Sequence, residues 1–198
     1  RVLNKVEMAQ KYYNITSALD PSDVEAMFAN AKLLIETASG REARAKILQA
    51  LAKLELVKQI NPDFPKVSFF MARCYLEIGD YTKSLEMVRD EKARNPSIAD
   101  SYILAAEIYY RKAQFKECAT EYSGAIKLRP NSAELYVKAS ICYRNSDSIE
   151  IAEDMLQMAQ ERESGFADIY REFGYINEKN GMPAFAVQFF EKYLVYSP

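Results

Sequence analysis

The chain has 198 residues, with 26 basic and 28 acidic side chains, no His, no Trp, three Cys, six Gly and seven Pro. Hydrophobic residues at 49% and charged residues at 27% describe a folded chain, not a disordered one. A net charge of −2 gives no electrostatic reason to expect nucleic acid or an acidic membrane surface.

Without His the chain lacks the commonest general base and the commonest metal ligand. It carries no phosphate-binding, dinucleotide-binding, zinc-protease or nucleophile-elbow motif. Carboxylate pairs such as Glu161/Glu163 and Asp147/Glu150 fall on solvated helix faces or in turns, where nothing splits their pKa values. The expectation is a non-enzymatic protein with no cofactor and no metal. Cys74, Cys118 and Cys142 lie 44 and 24 residues apart without a CxxC spacing, so they read as packing residues and suit a reducing, cytoplasmic setting. No apolar run approaches the ~18 residues of a membrane span, so no membrane insertion is expected. Residue 1 is Arg, and the sequence reads as a fragment of a longer chain.

Prolines stand at 21, 62, 96, 130 and 198, with differences of 41, 34, 34 and twice 34. A proline that recurs on a fixed period ends a helix on that period, because it lacks an N–H and clashes with the preceding turn. In chain order, 1–21 reads as a partial repeat holding one helix, Val2 to Ala18. The 22–62 stretch is a repeat with seven extra residues. The run Arg41 to Ile60 has no breaker, so the insertion is expected as a longer second helix in preference to a longer loop at Thr37 to Arg44.

The stretches 65–98, 99–132, 133–166 and 167–198 are each expected to hold two helices of roughly 12–14 residues. Within 99–132, Tyr102, Ala105, Ala106, Tyr109 and Tyr110 keep the i, i+3, i+4, i+7 spacing of one helix face, and Cys118, Tyr122, Ala125 and Ile126 resume it after a break. Gly79-Asp80 and Gly181 separate helices within a repeat, and Ser or Asp after a repeat's proline is placed to cap the next helix.

Counted from three residues after each proline, the eighth position is Ala72, Ala106, Ser140 and Gly174, and the twentieth is Ser84, Cys118, Ala152 and Ala186. Ala9 and Ala50 precede Pro21 and Pro62 by the same interval. Large residues take the fourth (Tyr102, Tyr136, Tyr170), eleventh (Tyr75, Tyr109, Tyr143) and twenty-fourth positions (Val88, Tyr122, Leu156, Phe190). In this alternation the whole chain resembles the tetratricopeptide-repeat family. The resemblance implies an all-α, right-handed superhelix, a solenoid of stacked helix-turn-helix repeats in a single domain. Two positions depart from the pattern: Glu91 replaces a small seam residue, so its helix is expected to tilt or stop short around Arg89 to Lys92, and Asn177 replaces a large residue.

In that family the first helices line a concave groove that binds a peptide or helix of a partner protein. The resemblance implies that Phe69, Ile103, Val137 and Arg171 (fifth position), Arg73, Glu107, Ile141 and Tyr175 (ninth), and Leu76, Tyr110 and Arg144 (twelfth) face it. A lysine-and-asparagine clamp for a chaperone's terminal carboxylate is incomplete here. The sixth position carries Phe70, Leu104, Lys138 and Glu172 in place of an asparagine ladder. The groove is therefore expected to be mixed, with an apolar strip. The competing reading is that these side chains pack between neighbouring first helices. A second candidate interface is the C-terminal end, Phe185, Phe189, Tyr193 and Tyr196, through which copies would stack as a homo-oligomer or larger assembly. A third reading makes the chain the substrate-recruiting arm of an enzyme whose catalytic domain lies elsewhere.

Overall fold

The computed structural model describes residues 2–20 and 22–197, less the side chains of 2–7, 14, 17 and 18. Pro21 and Pro198, two of the periodic prolines, lie outside them. Among the described residues there are eleven α-helices, one 3₁₀ turn at Gly40–Glu42 and no strand. The helices are α1 (Val2–Leu19), α2 (Val24–Glu36), α3 (Ala43–Ile60), α4 (Val67–Ile78), α5 (Tyr81–Arg94), α6 (Ala99–Arg111), α7 (Phe115–Leu128), α8 (Ala133–Asn145), α9 (Ile149–Arg162), α10 (Ala167–Lys179) and α11 (Pro183–Tyr196).

Packing divides the chain into two compact units, Arg1–Pro96 and Ser97–Pro198. In the first, α2 pairs with α3 and α4 with α5, while α1 packs on α2 and α3 on α4. In the second, the pairs are α6/α7, α8/α9 and α10/α11, with α7 on α8, α9 on α10, and the first helices α8 and α10 in contact.

The pairs close where both helices carry small residues. Ala72, Ser84, Ala106, Cys118, Ser140, Ala152 and Ala186 are all buried, because a large side chain at such a crossing would hold the backbones apart. At the α4/α5 crossing the Ser84 hydroxyl donates to the Ala72 carbonyl over 2.7 Å. At the α10/α11 crossing Gly174 leaves the space that the Phe190 ring occupies, and a Cβ on Gly174 would overlap that ring. The 34-residue period reappears in the backbone: Gly79, Ala113, Asp147 and Gly181 all have positive φ, at the turn between the two helices of each repeat. Gly79 adopts this left-handed conformation without steric cost and donates its N–H to the Tyr75 carbonyl, and Asp80 then caps α5 by accepting from the Lys83 N–H.

Two of the repeats are also tied to the one before by an arginine. Arg94 donates to the carbonyl of Pro62 (2.8 Å), and Arg162 donates to that of Pro130 (2.6 Å), in both cases 32 residues away. Pro62 and Pro130 thus each follow the end of a helix and supply an acceptor for the next repeat.

Several expectations need correction or division. The seven extra residues of 22–62 are shared: α3 has 18 residues against 14 in each of α5, α7, α9 and α11, and the rest lie in the loop and 3₁₀ turn at 37–42. The α5 helix does not stop at Glu91. It runs to Arg94, and the buried Glu91 carboxylate accepts a hydrogen bond from the Asn95 side chain at 3.0 Å. Asn177 likewise turns its amide onto its own helix, donating to the Phe173 carbonyl. Capping occurs at Asp23, two residues after its proline, which accepts from the Ala26 N–H; Ser132 occupies the cap of α8 without a side-chain bond, and the caps of α4 and α6 are Lys66 and Ile98 in place of Asp63 and Ser97.

The cysteine reading changes as well. Cys118 and Cys142 form a disulfide, their Cα atoms 5.9 Å apart, because packing of α7 on α8 brings together residues 24 positions apart. Only Cys74 is a free thiol, and burial pushes its pKa up to about 12, so it is unreactive. The argument from unpaired thiols to a reducing compartment therefore falls away.

Two measurements check this architecture. Gly174→Ala should destabilise the protein by about 1–3 kcal/mol through overpacking against Phe190, and a wild-type urea midpoint would contradict the assigned crossing. Alkylation of the denatured protein without reductant should modify one cysteine, rising to three after reduction.

Candidate partner-binding faces

The expected groove residues separate by unit. On α4, Leu76 is buried, Phe69 stands edge-on to Phe70 with ring centroids 5.4 Å apart, and the Arg73 guanidinium lies 5.7 Å from the centre of the same Phe70 ring. These three side chains serve the packing of the first unit. In the second unit Val137 is buried in the core with Ala152, Leu156 and Ile169. Ile103 and Ile141 are half-buried, each with one side against the core. Tyr110 and Tyr175 remain 44% and 41% exposed. Packing between helices therefore claims part of the expected strip, and an open face remains on α6, α8 and α10.

Both exposed tyrosines are fixed in place. Tyr110 meets the Phe115 ring edge-on at 5.7 Å. Tyr175 has the edge of Phe190 at 5.4 Å, and the Arg144 guanidinium lies over its ring, also at 5.4 Å. Arg144 is itself held by Glu172, to which its Nε and Nη2 donate at 3.3 and 3.0 Å. Glu172 is 3% exposed and also pairs with Arg171 at 3.5 Å, while Arg171 reaches Asp168 at 2.9 Å. One buried carboxylate thus spans α8 and α10 and sets the position of two expected groove arginines. Lys179 adds a second link, donating to the Arg144 carbonyl and to Asp147, whose pKa it lowers.

Glu172 was noted in the sequence only as a failure to match an asparagine ladder. Its role was signalled by its spacing: it sits three residues after Ile169 and four before Ile176, on the helix face those two residues bury. A carboxylate on that face needs a cation, and Arg171 and Arg144 supply it.

The first unit has its own polar junction. Lys58 donates to Ser68 and to Asp90, Ser68 donates to Asp90 at 2.6 Å, and Arg94 bridges Asp90 and Asp63. Burial alone would raise the Asp90 pKa, but the hydrogen bonds from Ser68 and Lys58, the Lys58 charge and Arg94 outweigh it and hold the pKa at about 2. This group joins α3, α4 and α5 and is structural.

At the C-terminal end two of the four expected residues, Phe189 and Tyr193, are half-buried, while Phe185 and Tyr196 are exposed. Phe189 stacks on Phe173 and Tyr196 on Tyr170, both with centroids 5.0 Å apart, and Tyr193 lies against the Arg171 guanidinium. Phe185 and, despite its stacking, Tyr196 are exposed, together with Val187, Leu194 and Val195, which the sequence reading did not single out. No cluster of three or more metal-capable acidic or cysteine side chains occurs among the described residues, and no helix there is long and apolar enough to cross a membrane.

This succession of helix pairs, closing on small residues at a 34-residue period, has the tetratricopeptide-repeat fold. Solved structures agree with it. MamA (41-end) from Desulfovibrio magneticus RS-1 superposes with a TM-score of 0.70 at 16% identity, covering 84% of this chain and 94% of that one. YrrB, a tetratricopeptide-repeat protein with an unusual peptide-binding site, gives 0.70 at 15% identity, covering 94% and 92%. The anaphase-promoting-complex heterotetramer Cut9–Hcn1 gives 0.72 at 15% identity, covering 99% of this chain and 38% of that one. No family model matches the sequence, and no curated protein matches it by sequence.

The Arg144–Glu172 pair allows a quantitative check. Arg144→Met should cost roughly 2–4 kcal/mol in urea unfolding, since it leaves the buried carboxylate with Arg171 alone. Adding Glu172→Leu should recover most of that loss. A double variant no more stable than the single one would contradict the assignment.

Proposed function

We propose that this chain is a non-enzymatic protein-interaction module, and that the first helices of its second unit receive a segment of a partner protein. The observation that carries the reading is Tyr175. It is 41% exposed yet fixed by Arg144 on its face and Phe190 at its edge. A large amphipathic ring whose conformation is already set loses little entropy on binding, which is how anchor residues act in protein interfaces. Tyr110 and the half-buried Ile141 extend the same kind of surface on α6 and α8. The fold supports the reading, since YrrB has a peptide-binding site and Cut9–Hcn1 is a multi-chain assembly.

The partner contacts expected from this face are an extended peptide or one helix with apolar anchors flanked by polar residues. Random peptides displayed on phage and selected against the folded protein test it. Selected peptides should bind wild type, and Tyr175→Ala should weaken them about 10- to 30-fold, with circular dichroism unchanged. Failure to enrich any peptide, or full affinity in the variant, would overturn the reading.

A further inference from the structure

Helices α7 and α8 belong to successive repeats of the second unit, and the Cys118–Cys142 disulfide crosses the seam between them. Both cysteines are fully buried, in a cluster with Ala106 of α6, Tyr122 of α7 and Leu135 and Ala139 of α8. Packing alone does not call for cysteine at these positions. The residues 68 positions earlier are Ala50 and Cys74 on α3 and α4, and those 34 positions later are Ala152 and Ile176 on α9 and α10. All four are fully buried, each pair within one cluster, and neither pair can form such a bond.

The bond lies directly behind the proposed binding face. Cys142 follows Ile141 on α8 and stands two residues before Arg144, whose guanidinium lies over Tyr175. Cys118 meets α6 at Ala106, one turn before Tyr110, and the half-buried Ile103 packs on the same cluster. Bonded sulfurs sit about 2 Å apart, whereas two thiols need at least about 3.5 Å, an ordinary non-bonded contact. A close-packed seam has no free volume for that difference, so reduction displaces α8 from α7. The displacement carries Ile141 and Arg144 with it and, through Arg144, removes the support of the Tyr175 ring. The Ser123 and Tyr143 hydroxyls, 3.3 Å apart across the same seam, part as well.

We propose that the Cys118–Cys142 bond is a redox switch on the peptide-binding face. The oxidised chain holds α6, α8 and α10 in the arrangement that receives the partner segment, and reduction lowers affinity for it. The switch rests on the peptide-binding reading above and adds its regulation. The co-reactant is a dithiol: it gives two electrons and two protons, its own sulfurs join in a disulfide, and Cys118 and Cys142 become thiols. Because both cysteines are buried, exchange requires α7 and α8 to part first, and the dithiol acts slowly on the folded chain.

Selected peptides are titrated into the oxidised protein and into the protein reduced with dithiothreitol, with one and three free thiols confirming the two states. Reduction should weaken binding about fivefold or more, and reoxidation should restore it. The Cys118→Ala/Cys142→Ala variant should bind equally with and without dithiothreitol. By linkage, saturating peptide should raise the ratio of dithiol to disulfide needed for half-reduction by the same factor. Equal affinity in both states, or an equal loss in the double variant, overturns the switch and leaves the binding face standing. Amide hydrogen exchange needs no peptide: reduction should speed exchange on α7 and α8 more than on α11. With no selectable peptide the binding face falls; faster exchange on α7 and α8 would then still support a redox-dependent seam, and unchanged exchange would overturn it.

Discussion

The hydroxyl of Ser84 reaches the carbonyl of Ala72 across 2.7 Å, which requires two helix backbones to approach with almost nothing between them. That close approach recurs at Ala106 with Cys118, Ser140 with Ala152 and Gly174 with Ala186, and much of the rest of the structure follows from it. With the helices drawn together at these points, the large residues of each repeat must fill the spaces on either side. The Tyr122, Tyr136, Leu156 and Tyr170 side chains do so and are buried. On α6 and α10, Tyr110 and Tyr175 each meet a ring of the paired second helix and still remain open, while Val137 and Leu76 do not.

Charge has a different part here from the one composition suggests. A net charge of −2 implies a bland surface, but several carboxylates are buried or half-buried at junctions between helices. Asp90 joins α3, α4 and α5, and Glu172 joins α8 and α10. Burying a carboxylate is costly unless cations and hydrogen bonds meet it. Each of these two has both, so they act as cross-links whose failure would leave an uncompensated charge. The Glu172 cross-link also orients the guanidinium that lies over Tyr175.

Much of the fold was legible because its determinants are local and periodic. Proline spacing, small residues at two positions and large residues at three others are each readable from one chain, and the left-handed turn at Gly79 and Gly181 is written in glycine. The same turn at Ala113 was not legible, because alanine does not announce positive φ, and the aspartate at 147 is only a weak signal for it. The disulfide was missed because pairing depends on α7 meeting α8, and a separation of 24 residues says nothing of that meeting. The expectation that α5 would stop short at Glu91 failed for a related reason: burial was judged without the Asn95 amide one turn later, which donates to the carboxylate. Among the site residues, position within the repeat indicated which helix each would occupy. It did not separate Val137, taken into the core, from Tyr175, left open, since that depends on the volume of neighbours on three other helices.

The central claim is that recognition belongs to the first helices of the second unit. Photo-crosslinking from single positions tests it directly, with benzoylphenylalanine placed in turn at Tyr110, Tyr175, Leu128 and Ile151, the last two being exposed on second helices. Irradiation in the presence of a tagged, selected peptide should give adducts from positions 110 and 175 and none from 128 and 151. Adducts from 128 or 151 with none from 110 and 175 would move recognition to the second helices and contradict the account.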